Sequence, residues 1–262
     1  MLHFIVATNS EARPIIDIFN LKKITEIKEF PIYINKHISL TISGIGKNNC
    51  AMAVSQTFCE FDKIKNNVWI NIGLAGHKSH KIGEIFIINK IYDSSSKKKE
   101  FPHITSFKIQ ANDCTTFDNE NKKYNNSLSD MESSSFFASA SQHSTKELIQ
   151  TIKIISDNKI ESINFLNNKS VYDLLIKHKN LLLEFCNHMI AIKDSLSRYP
   201  TKVERNYSKL FLKIRLTFNE QNQIKSLLKL YFLKYKYMKR DLINENKNGE
   251  YNINKLKKFL NI

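Results

Sequence analysis

Three carboxylate residues stand at the edges of apolar segments, and their side chains are suited to acid–base chemistry. Glu11 and Asp157 each follow an apolar segment, His3–Ala7 and Ile149–Ile155, whereas Glu132 precedes a helical pattern. Glu11 could act as a general acid or activate a water, and Glu132 could accept hydrogen bonds from two vicinal hydroxyls. Asp157 could donate to or accept from a heterocyclic nitrogen. Each residue is also typical of a helix N-terminus, so none identifies a site alone.

Two glycine-containing segments lie between these carboxylates and could bring the backbone close to a ligand. Ser43-Gly44-Ile45-Gly46-Lys47 precedes a helical pattern, so its backbone N–H groups could bind an anion or a ribose hydroxyl. Gly73-Leu74-Ala75-Gly76 ends an apolar strand pattern, and its small residues would admit a ligand. Neither segment has the spacing of a P-loop or of GxGxxG. Each is equally typical of a plain tight turn.

Apolar periodicity predicts the elements that must position these residues. The predicted strands are His3–Ala7, Ile32–Ile34, Ile38–Ile42, Val68–Ile72, Glu84–Tyr92, Ile104–Ile109 and Ile149–Ile155. The predicted helices are one with Pro14 in its first turn that runs to about Phe19, Lys47–Phe61, one from Met131 onward, and Val171–Ile192. Residues 94–128 carry the fewest signals of regular structure. Buried strands that alternate with helices predict an α/β fold with three α/β/α layers and a mixed, mostly parallel central sheet. Ligands of such sheets bind at the carboxyl ends of the strands, where the carboxylates and glycines lie.

Residues 193–262 differ from the rest of the chain in charge. They contain 17 Lys and Arg residues and 6 Asp and Glu residues, a net +11 of the chain's +15. Helical spacing predicts a basic helical extension at 193–262 that follows a domain at 1–192. Thr217 and Glu220 have the spacing of a capping box, and a last helix is predicted at Ile253–Leu260. The predicted apolar stripes consist of Tyr207, Leu210, Phe211 and Ile214, and then of Ile224, Leu227, Leu228, Tyr231 and Tyr235.

The extension has two possible uses. Regular apolar stripes favour packing or oligomerisation, with the basic side chains in solvent. Basic residues interleaved with Tyr231, Tyr235 and Tyr237 are compatible with weak binding of nucleic acid or of an acidic surface. We expect assembly as a homo-oligomer and keep polyanion binding as the alternative.

The sequence gives no support for a metal, a cofactor or a membrane span. Cys50, Cys59, Cys114 and Cys186 lack the short spacing of a zinc or redox pair, and we expect reduced thiols. His77 and His80 are three residues apart, but no neighbouring ligand completes a metal site. No signal peptide and no apolar run of membrane-spanning length is recognisable, so we expect a cytoplasmic protein.

The order of the motifs resembles that of a known superfamily. Asn-Ser-Glu at 9–11, Ser-Gly-Ile-Gly-Lys at 43–47, Gly-Leu-Ala-Gly at 73–76, Asp-Met-Glu-Ser at 130–133 and Ile-Ser-Asp-Asn at 155–158 follow one another. The series resembles the purine nucleoside phosphorylase/uridine phosphorylase superfamily, and within it the methylthioadenosine/S-adenosylhomocysteine nucleosidases. The resemblance spans about Leu2–Ile192. It implies an enzyme that cleaves the N-glycosidic bond of a purine nucleoside and that commonly forms homo-oligomers.

The resemblance also implies a role for each matching residue. Glu11 would position the nucleophilic water, and Asp157 would protonate or hydrogen-bond the purine at N7. Met131 would lie under the sugar, and Glu132 would bind its hydroxyls. The full implied substrate-binding set is Ser43, Gly44, Ala75, Gly76, Phe117, Met131 and Glu132, with Ala75 and Gly76 near the ribose and the nucleophile and Phe117 near the base.

The chain departs from the superfamily pattern in three places. Leu74 stands where Ser or Thr is usual, and Lys153 stands where the nucleosidases carry Arg. The segment 93–130 is shorter than in typical members. These departures keep open a nucleoside-binding protein that has lost turnover.

The sequence also leaves two nucleophiles possible, water and phosphate. Phosphorylases of the superfamily carry a Gly-Asp-Pro loop after the first strand, whereas this chain has Thr8-Asn9-Ser10-Glu11. A carboxylate repels phosphate and can orient water, so the sequence favours hydrolysis. Arg13, Lys47 and Lys153 are the candidates for an anion or nucleophile site, and they keep phosphorolysis as the alternative.

Overall fold

The chain divides into two units, Met1–Lys193 and Asp194–Ile262. The computed structural model describes residues 1–26, 29–61, 66–165, 167–198, 214–235 and 242–261. The predicted stripe residues Tyr207, Leu210 and Phe211, and also Tyr237, lie outside the described residues. Each unit is described by itself below.

The first unit combines one mixed sheet with helices, so the predicted α/β class is confirmed. Its strands are β1 (Leu2–Val6), β2 (Lys22–Lys23), β3 (Ile32–Ile34), β4 (Ile38–Ile42), β5 (Val68–Gly76), β6 (Ile85–Asp93), β7 (Lys99–Glu100), β8 (Ala111–Thr116), β9 (Leu128–Asp130) and β10 (Ile149–Asp157). Its helices are α1 (Asn9–Phe19), α2 (Lys47–Phe61), α3 (Ser133–Ala140), α4 (Asn168–Ile176) and α5 (Lys179–Arg198), the last of which continues past Lys193.

Five of the strands close into a ring. β5 pairs in parallel with β10, β10 antiparallel with β6, and β6 and β9 each in parallel with β8. The ring closes where Ser129 of β9 pairs antiparallel with Gly76 of β5. β1 pairs in parallel with the first half of β5 and with β4, and β3 and β2 continue the sheet beyond β4. The carboxyl ends of β1, β5 and β10 therefore lie beside the point of closure.

Alternating side chains of β1 pack against different helices. Ile5 belongs to a buried cluster with Trp69, with Val54 of α2 and with Phe136 of α3. Phe4 points the other way, because neighbouring residues of a strand face opposite sides, and its ring lies 5.5 Å from that of Phe19 in α1. Burial on both sides explains why β1 has no polar alternation.

The structure corrects the prediction for two segments. Gly73–Gly76 is the end of β5 and is not a turn, because pairing with β10 continues through it. Ile104–Ile109, predicted as a strand, has no strand pairing, and strand β8 begins at Ala111 instead. The segment 94–128 thus holds β7 and β8, whose polar residues gave no apolar alternation to detect.

The structure also corrects two predicted helices. α1 begins at Asn9, so Pro14 lies beyond the first turn in which it is predicted, because Thr8 and Glu11 form a capping box that starts the helix earlier. The predicted helix Val171–Ile192 is two helices, α4 and α5, which are separated at Lys177 and His178. The His178 ring donates from Nε2 to the Gly83 carbonyl at 2.9 Å and holds this break against the loop before β6.

The second unit contains α6 (Phe218–Tyr235) and α7 (Gly249–Leu260). The predicted capping box is present, since the Thr217 N–H donates to Glu220 Oε2 at 2.8 Å and the Glu220 N–H donates to Thr217 Oγ1 at 3.3 Å. The last helix begins at Gly249, earlier than predicted, because the Asn248 side chain caps it. The buried cluster of this unit comprises Ile224, Leu227, Leu228, Tyr231, Leu242, Ile253, Leu256 and Leu260. The predicted second stripe thus packs largely within the unit itself.

Among the described residues, no helix combines the length and the apolar character that a membrane crossing requires.

Candidate functional site

An open cavity of about 370 Å³ lies where β1, β5, β9 and β10 end. Residues of all four strand ends line it, and the loop before β9 and the start of α4 complete its wall. The predicted site residues on this wall are Glu11, Ala75, Gly76, Phe117, Met131, Glu132 and Asp157. Motifs that are spread along the chain therefore meet around one cavity in the folded protein.

Glu11 is both a helix cap and a wall residue of the cavity. Its Oε2 accepts hydrogen bonds from the Thr8 N–H at 2.9 Å and from the Thr8 hydroxyl at 2.8 Å. Its Oε1 accepts the Leu74 N–H of β5 at 2.9 Å. The same carboxylate thus joins α1 to β5, and the two interpretations of Glu11 do not exclude each other.

Gly73 makes this joint possible. A Cβ atom at position 73 would lie 2.9 Å from Glu11 Oε1, which is closer than Cβ atoms tolerate. Any larger residue at this position would require the Glu11 carboxylate to move away from β5. Leu74 takes part through its N–H, so the residue type at 74 does not decide this contact.

Glu132 is held by the glycine loop before α2. It lies at the N-cap of α3 but makes no capping bond there, and its Oε1 accepts the Gly46 N–H at 2.8 Å. Gly44 and Gly46 adopt φ of 81° and 98°, a region that favours glycine. Ser43 and Gly44 do not line the cavity; the Ser43 hydroxyl donates to the Gly44 and Val6 carbonyls and shapes the loop.

Two buried groups next to Glu132 form an ion pair. Lys153 Nζ of β10 lies 2.8 Å from Asp130 Oδ2 at the end of β9, and the two side chains are 1% and 0% exposed. Asp130 also accepts hydrogen bonds from the Thr116 hydroxyl at 2.8 Å and from the Ser133 N–H at 2.8 Å. Lys153, a candidate for anion binding, is thus buried and paired with Asp130.

Burial and charge set the protonation of this group. Burial raises the pKa of Glu132 to about 7, and the nearby Asp130 carboxylate acts in the same direction against the attraction of Lys153. Burial also opposes ionisation of Asp130, but Lys153 and the hydroxyl donors bring its pKa below the ordinary value. The pKa of Lys153 is raised, because the attraction of Asp130 and Glu132 outweighs burial.

Asp157 receives a hydrogen bond on each carboxylate oxygen. The Ser156 hydroxyl donates to Oδ1 at 2.6 Å, and the Tyr124 hydroxyl donates to Oδ2 at 2.5 Å. Tyr124 was missed by the sequence analysis, since it lies in a polar segment without any periodic signal. Gly76 leaves space for the pair, because a Cβ there would lie 2.7 Å from both Asp157 Oδ2 and Tyr124 Cε1.

Arg13 and Lys47 lie outside the cavity wall. Arg13 is exposed on α1, with Nε 3.3 Å from Asp17 Oδ2. Lys47 Nζ lies 2.9 Å from Asp93 and 2.5 Å from Asp118. Among the described residues that line the cavity, five are carboxylates and none is lysine or arginine.

The described residues contain no group of three or more His, Cys, Asp or Glu arranged to hold a metal ion. His77 and His80 stack with ring centroids 3.9 Å apart. His77 Nδ1 accepts the His80 N–H at 3.0 Å, so this pair stabilises a turn.

No protein-family model matches this sequence, and no curated protein matches it. Solved structures do match its fold. The Arabidopsis thaliana 5′-methylthioadenosine nucleosidase in apo form is 16% identical, with a TM-score of 0.60 over 72% of this chain and 95% of its own. A Chlamydia trachomatis methylthioadenosine/S-adenosylhomocysteine nucleosidase (MTAN) variant bound to methylthioadenosine (MTA) is 18% identical, with a TM-score of 0.53 over 67% of this chain and 93% of its own. A Borrelia burgdorferi structure bound to adenine is 19% identical, with a TM-score of 0.57 over 73% and 100%.

This chain has the fold of the methylthioadenosine nucleosidases. The match covers nearly all of each neighbour but only about 70% of this chain. At these identities the comparison describes the fold, and the chemistry depends on the cavity residues.

Lys153→Met should destabilise the protein by about 3–5 kcal/mol, because it leaves the Asp130 charge buried without its partner. Urea unfolding at neutral pH measures the difference. The matched control is Lys90→Met, which breaks the exposed Lys90–Asp113 pair of 2.6 Å and should cost about 1 kcal/mol or less. Equal losses in the two variants would contradict the importance of the buried pair.

Glu132→Gln should change how stability depends on pH. The pKa of Glu132 is about 7 in the folded protein, above its ordinary value of 4.5, so the folded state binds the proton more tightly than the unfolded state. The favourable contribution of Glu132 to the free energy of unfolding is therefore complete below about pH 4.5 and is lost as pH rises through 7. Relative to wild type, the variant should gain up to about 3 kcal/mol between pH 5 and pH 8. Urea unfolding at both pH values measures this gain. Glu120→Gln on the exposed rim is the control, and a gain of the same size there would refute the assignment.

Proposed function

We propose that this chain cleaves the N-glycosidic bond of a purine nucleoside by hydrolysis. The observation that carries the proposal is that Glu11, Glu132 and Asp157 line one cavity at converging strand ends. These carboxylates come from distant parts of the chain, so their meeting is a property of the fold. The nucleosidase fold supports the same reaction class.

The proposed roles follow from how charge develops during the cleavage. The ribose gains oxocarbenium character as the bond to the base breaks, and the base gains negative charge. Asp157 meets the base and supplies a proton or hydrogen bond there, while Glu11 orients the attacking water. Glu132 binds the ribose hydroxyls, for which its buried carboxyl offers strong acceptors. Met131 lies under the sugar, and Phe117 contacts the base.

The electrostatics of the cavity favour water over phosphate as the nucleophile. Phosphate needs cationic or N–H donors, yet the described wall has five carboxylates and no lysine or arginine. Lys47 and Lys153 are both engaged in ion pairs with aspartates. An incoming phosphate would meet net repulsion, whereas a neutral water can donate to Glu11.

The substrate is proposed to be an adenine nucleoside with a neutral 5′ substituent, such as methylthioadenosine or adenosylhomocysteine. Neighbours of the same fold contain MTA and adenine. In this chain Ile45, Phe165 and Val171 give part of the cavity wall an apolar character. The carboxylate-rich wall would repel a nucleoside that carries a 5′ phosphate.

We further infer that residues 1–192 form a nucleosidase-like domain with three α/β/α layers, and that 193–262 form a helical extension. The opposite packing of Phe4 on α1 and of Ile5 with α2 and α3 supports the three layers. The division of the chain near Lys193 supports the boundary.

A substrate panel tests the proposed reaction. Adenosine, inosine, methylthioadenosine and adenosylhomocysteine are incubated with the full chain, with and without phosphate, and free base is measured by chromatography. We expect base release without phosphate, fastest with methylthioadenosine or adenosylhomocysteine. Release that requires phosphate would identify a phosphorylase. Ligand-induced thermal stabilisation without any release would identify a nucleoside-binding protein.

Asp157→Asn should lower kcat by about 10²–10⁴ on the substrate that the panel identifies, since it removes general acid catalysis at the base but little volume. Asp113→Asn, which changes a partly exposed aspartate paired with Lys90, should retain the wild-type rate. Thermal melting of both variants checks that the fold is intact. A wild-type rate in Asp157→Asn would remove Asp157 from the mechanism.

We also propose that the basic extension serves packing and assembly rather than catalysis, with apolar residues against its own domain or a neighbouring subunit of a homo-oligomer and basic residues outward. Its described apolar residues pack largely within the unit itself, which supports the packing role, while Lys225, Lys257 and Lys258 are exposed. The alternative is binding of nucleic acid through these lysines, which would depend steeply on salt.

Sedimentation of the full chain and of a protein ending at Ile192 tests this proposal. We expect the full chain to be an oligomer and the shortened protein to have a lower mass. An unchanged oligomeric state, with nucleic-acid affinity of the full chain that falls about 10³–10⁵-fold between 50 and 200 mM salt, would support the alternative.

A further inference from the structure

Tyr124 contacts Asp157 without lining the cavity. Its hydroxyl donates to Asp157 Oδ2 at 2.5 Å, whereas the cavity wall at this point is formed by Ser156, Asp157 and Gly76. The phenol therefore holds the carboxylate without being one of the residues that line the cavity. The remaining acceptor positions of Asp157 can face the cavity, because a carboxylate offers about four.

We infer that Tyr124 is a positioning residue for the reaction, whose hydroxyl fixes the Asp157 carboxylate together with the Ser156 hydroxyl. The inference rests on the proposed function, in which Asp157 meets the base. Two donors on different oxygens define the plane of the carboxylate, and free rotation about its last bond would break one of the two bonds.

The segment that carries Tyr124 is anchored next to Asp157. The Lys78 N–H donates to the Asn125 carbonyl at 3.2 Å, and His77 Nε2 donates to the Asn126 carbonyl at 3.0 Å. The His77 N–H in turn donates to the Asp157 carbonyl at 3.0 Å. The backbone around Asp157 and the segment around Tyr124 are thus held by the same residues.

Glycine at position 76 leaves space for the Tyr124 and Asp157 side chains. A Cβ there would come within 2.7 Å of Tyr124 Cε1 and of Asp157 Oδ2. The strand end of β5 thus leaves room for the phenol–carboxylate bond.

The protonation of the pair is consistent with this geometry. Burial and the bond to Asp157 raise the pKa of Tyr124, so the phenol keeps its proton at neutral pH and acts as the donor. Other titratable groups around Asp157 are Glu120 in the segment of Tyr124, His77 beyond β5, and Glu11 and Glu132 across the cavity.

The test compares the full chain, Tyr124→Phe and the control Tyr92→Phe, which removes a hydroxyl from β6 away from the cavity wall. On the nucleoside that the panel identifies, Tyr124→Phe should lower kcat about tenfold and change KM less than about twofold, since the hydroxyl orients Asp157 but does not touch the substrate. In the Asp157→Asn background the same substitution should have little further effect on kcat, because the hydroxyl acts through Asp157. Tyr92→Phe should match wild type in kcat and KM.

A further tenfold loss of kcat in the Asp157→Asn background would mean a structural role and would overturn the inference, as would equal effects in Tyr92→Phe. If wild type releases no base from any nucleoside, the proposed function fails, and adenine binding by calorimetry replaces turnover. Tyr124→Phe should then bind adenine more weakly than wild type, and the substitution should have little further effect in the Asp157→Asn background. Equal adenine affinities of wild type and Tyr124→Phe, or additive losses in the double variant, would overturn the inference independently of the reaction.

Discussion

The buried pair of Lys153 and Asp130 is the interaction on which the rest of the site depends. It joins β10 to the end of β9 at a point where neither charge can reach water. Asp130 also binds Thr116 at the end of β8 and Ser133 at the start of α3, so one carboxylate fixes three strands and a helix. Two charges in such a place are tolerated only together, because the desolvation of either alone is costly. The positions of Met131 and Glu132 follow directly, since they succeed Asp130 in the chain.

Glu11 shows how a structural requirement and a chemical one can share a side chain. One oxygen completes the capping box of α1, and the other holds the backbone of β5. These hydrogen bonds hold the Glu11 carboxylate in a fixed position, and no cation among the described residues pairs with it. A group that must orient a water benefits from such fixed geometry, because reorganisation during the reaction is avoided. The Leu74 N–H also contributes to the site through its hydrogen bond to Glu11, and this contact does not depend on the side chain at position 74.

Much of the site was predictable from the sequence, and the reasons differ between residues. Glu11 and Asp157 were predictable because apolar strands end next to them, and the Thr8–Glu11 spacing would also have revealed the true start of α1. Tyr124 was not predictable, since its contact with Asp157 depends on where a polar loop folds back. Strand β8 was missed for a related reason. Its sequence, Ala-Asn-Asp-Cys-Thr-Thr, lacks apolar alternation, and its pairing with β6 and β9 determines its conformation.

The closed ring of strands has a consequence for the order in which the molecule can form. β5 is one of the earlier strands in the chain, yet its partner β10 is the last strand of the sheet. Until β10 has been synthesised, Asp130 lacks its lysine, β5 keeps an open edge, and the cavity has no wall on the side of Asp157. An exposed edge of apolar residues is the kind of surface that pairs wrongly with other chains. During synthesis the ring of strands therefore cannot close, and the site cannot be completed, until β10 is available.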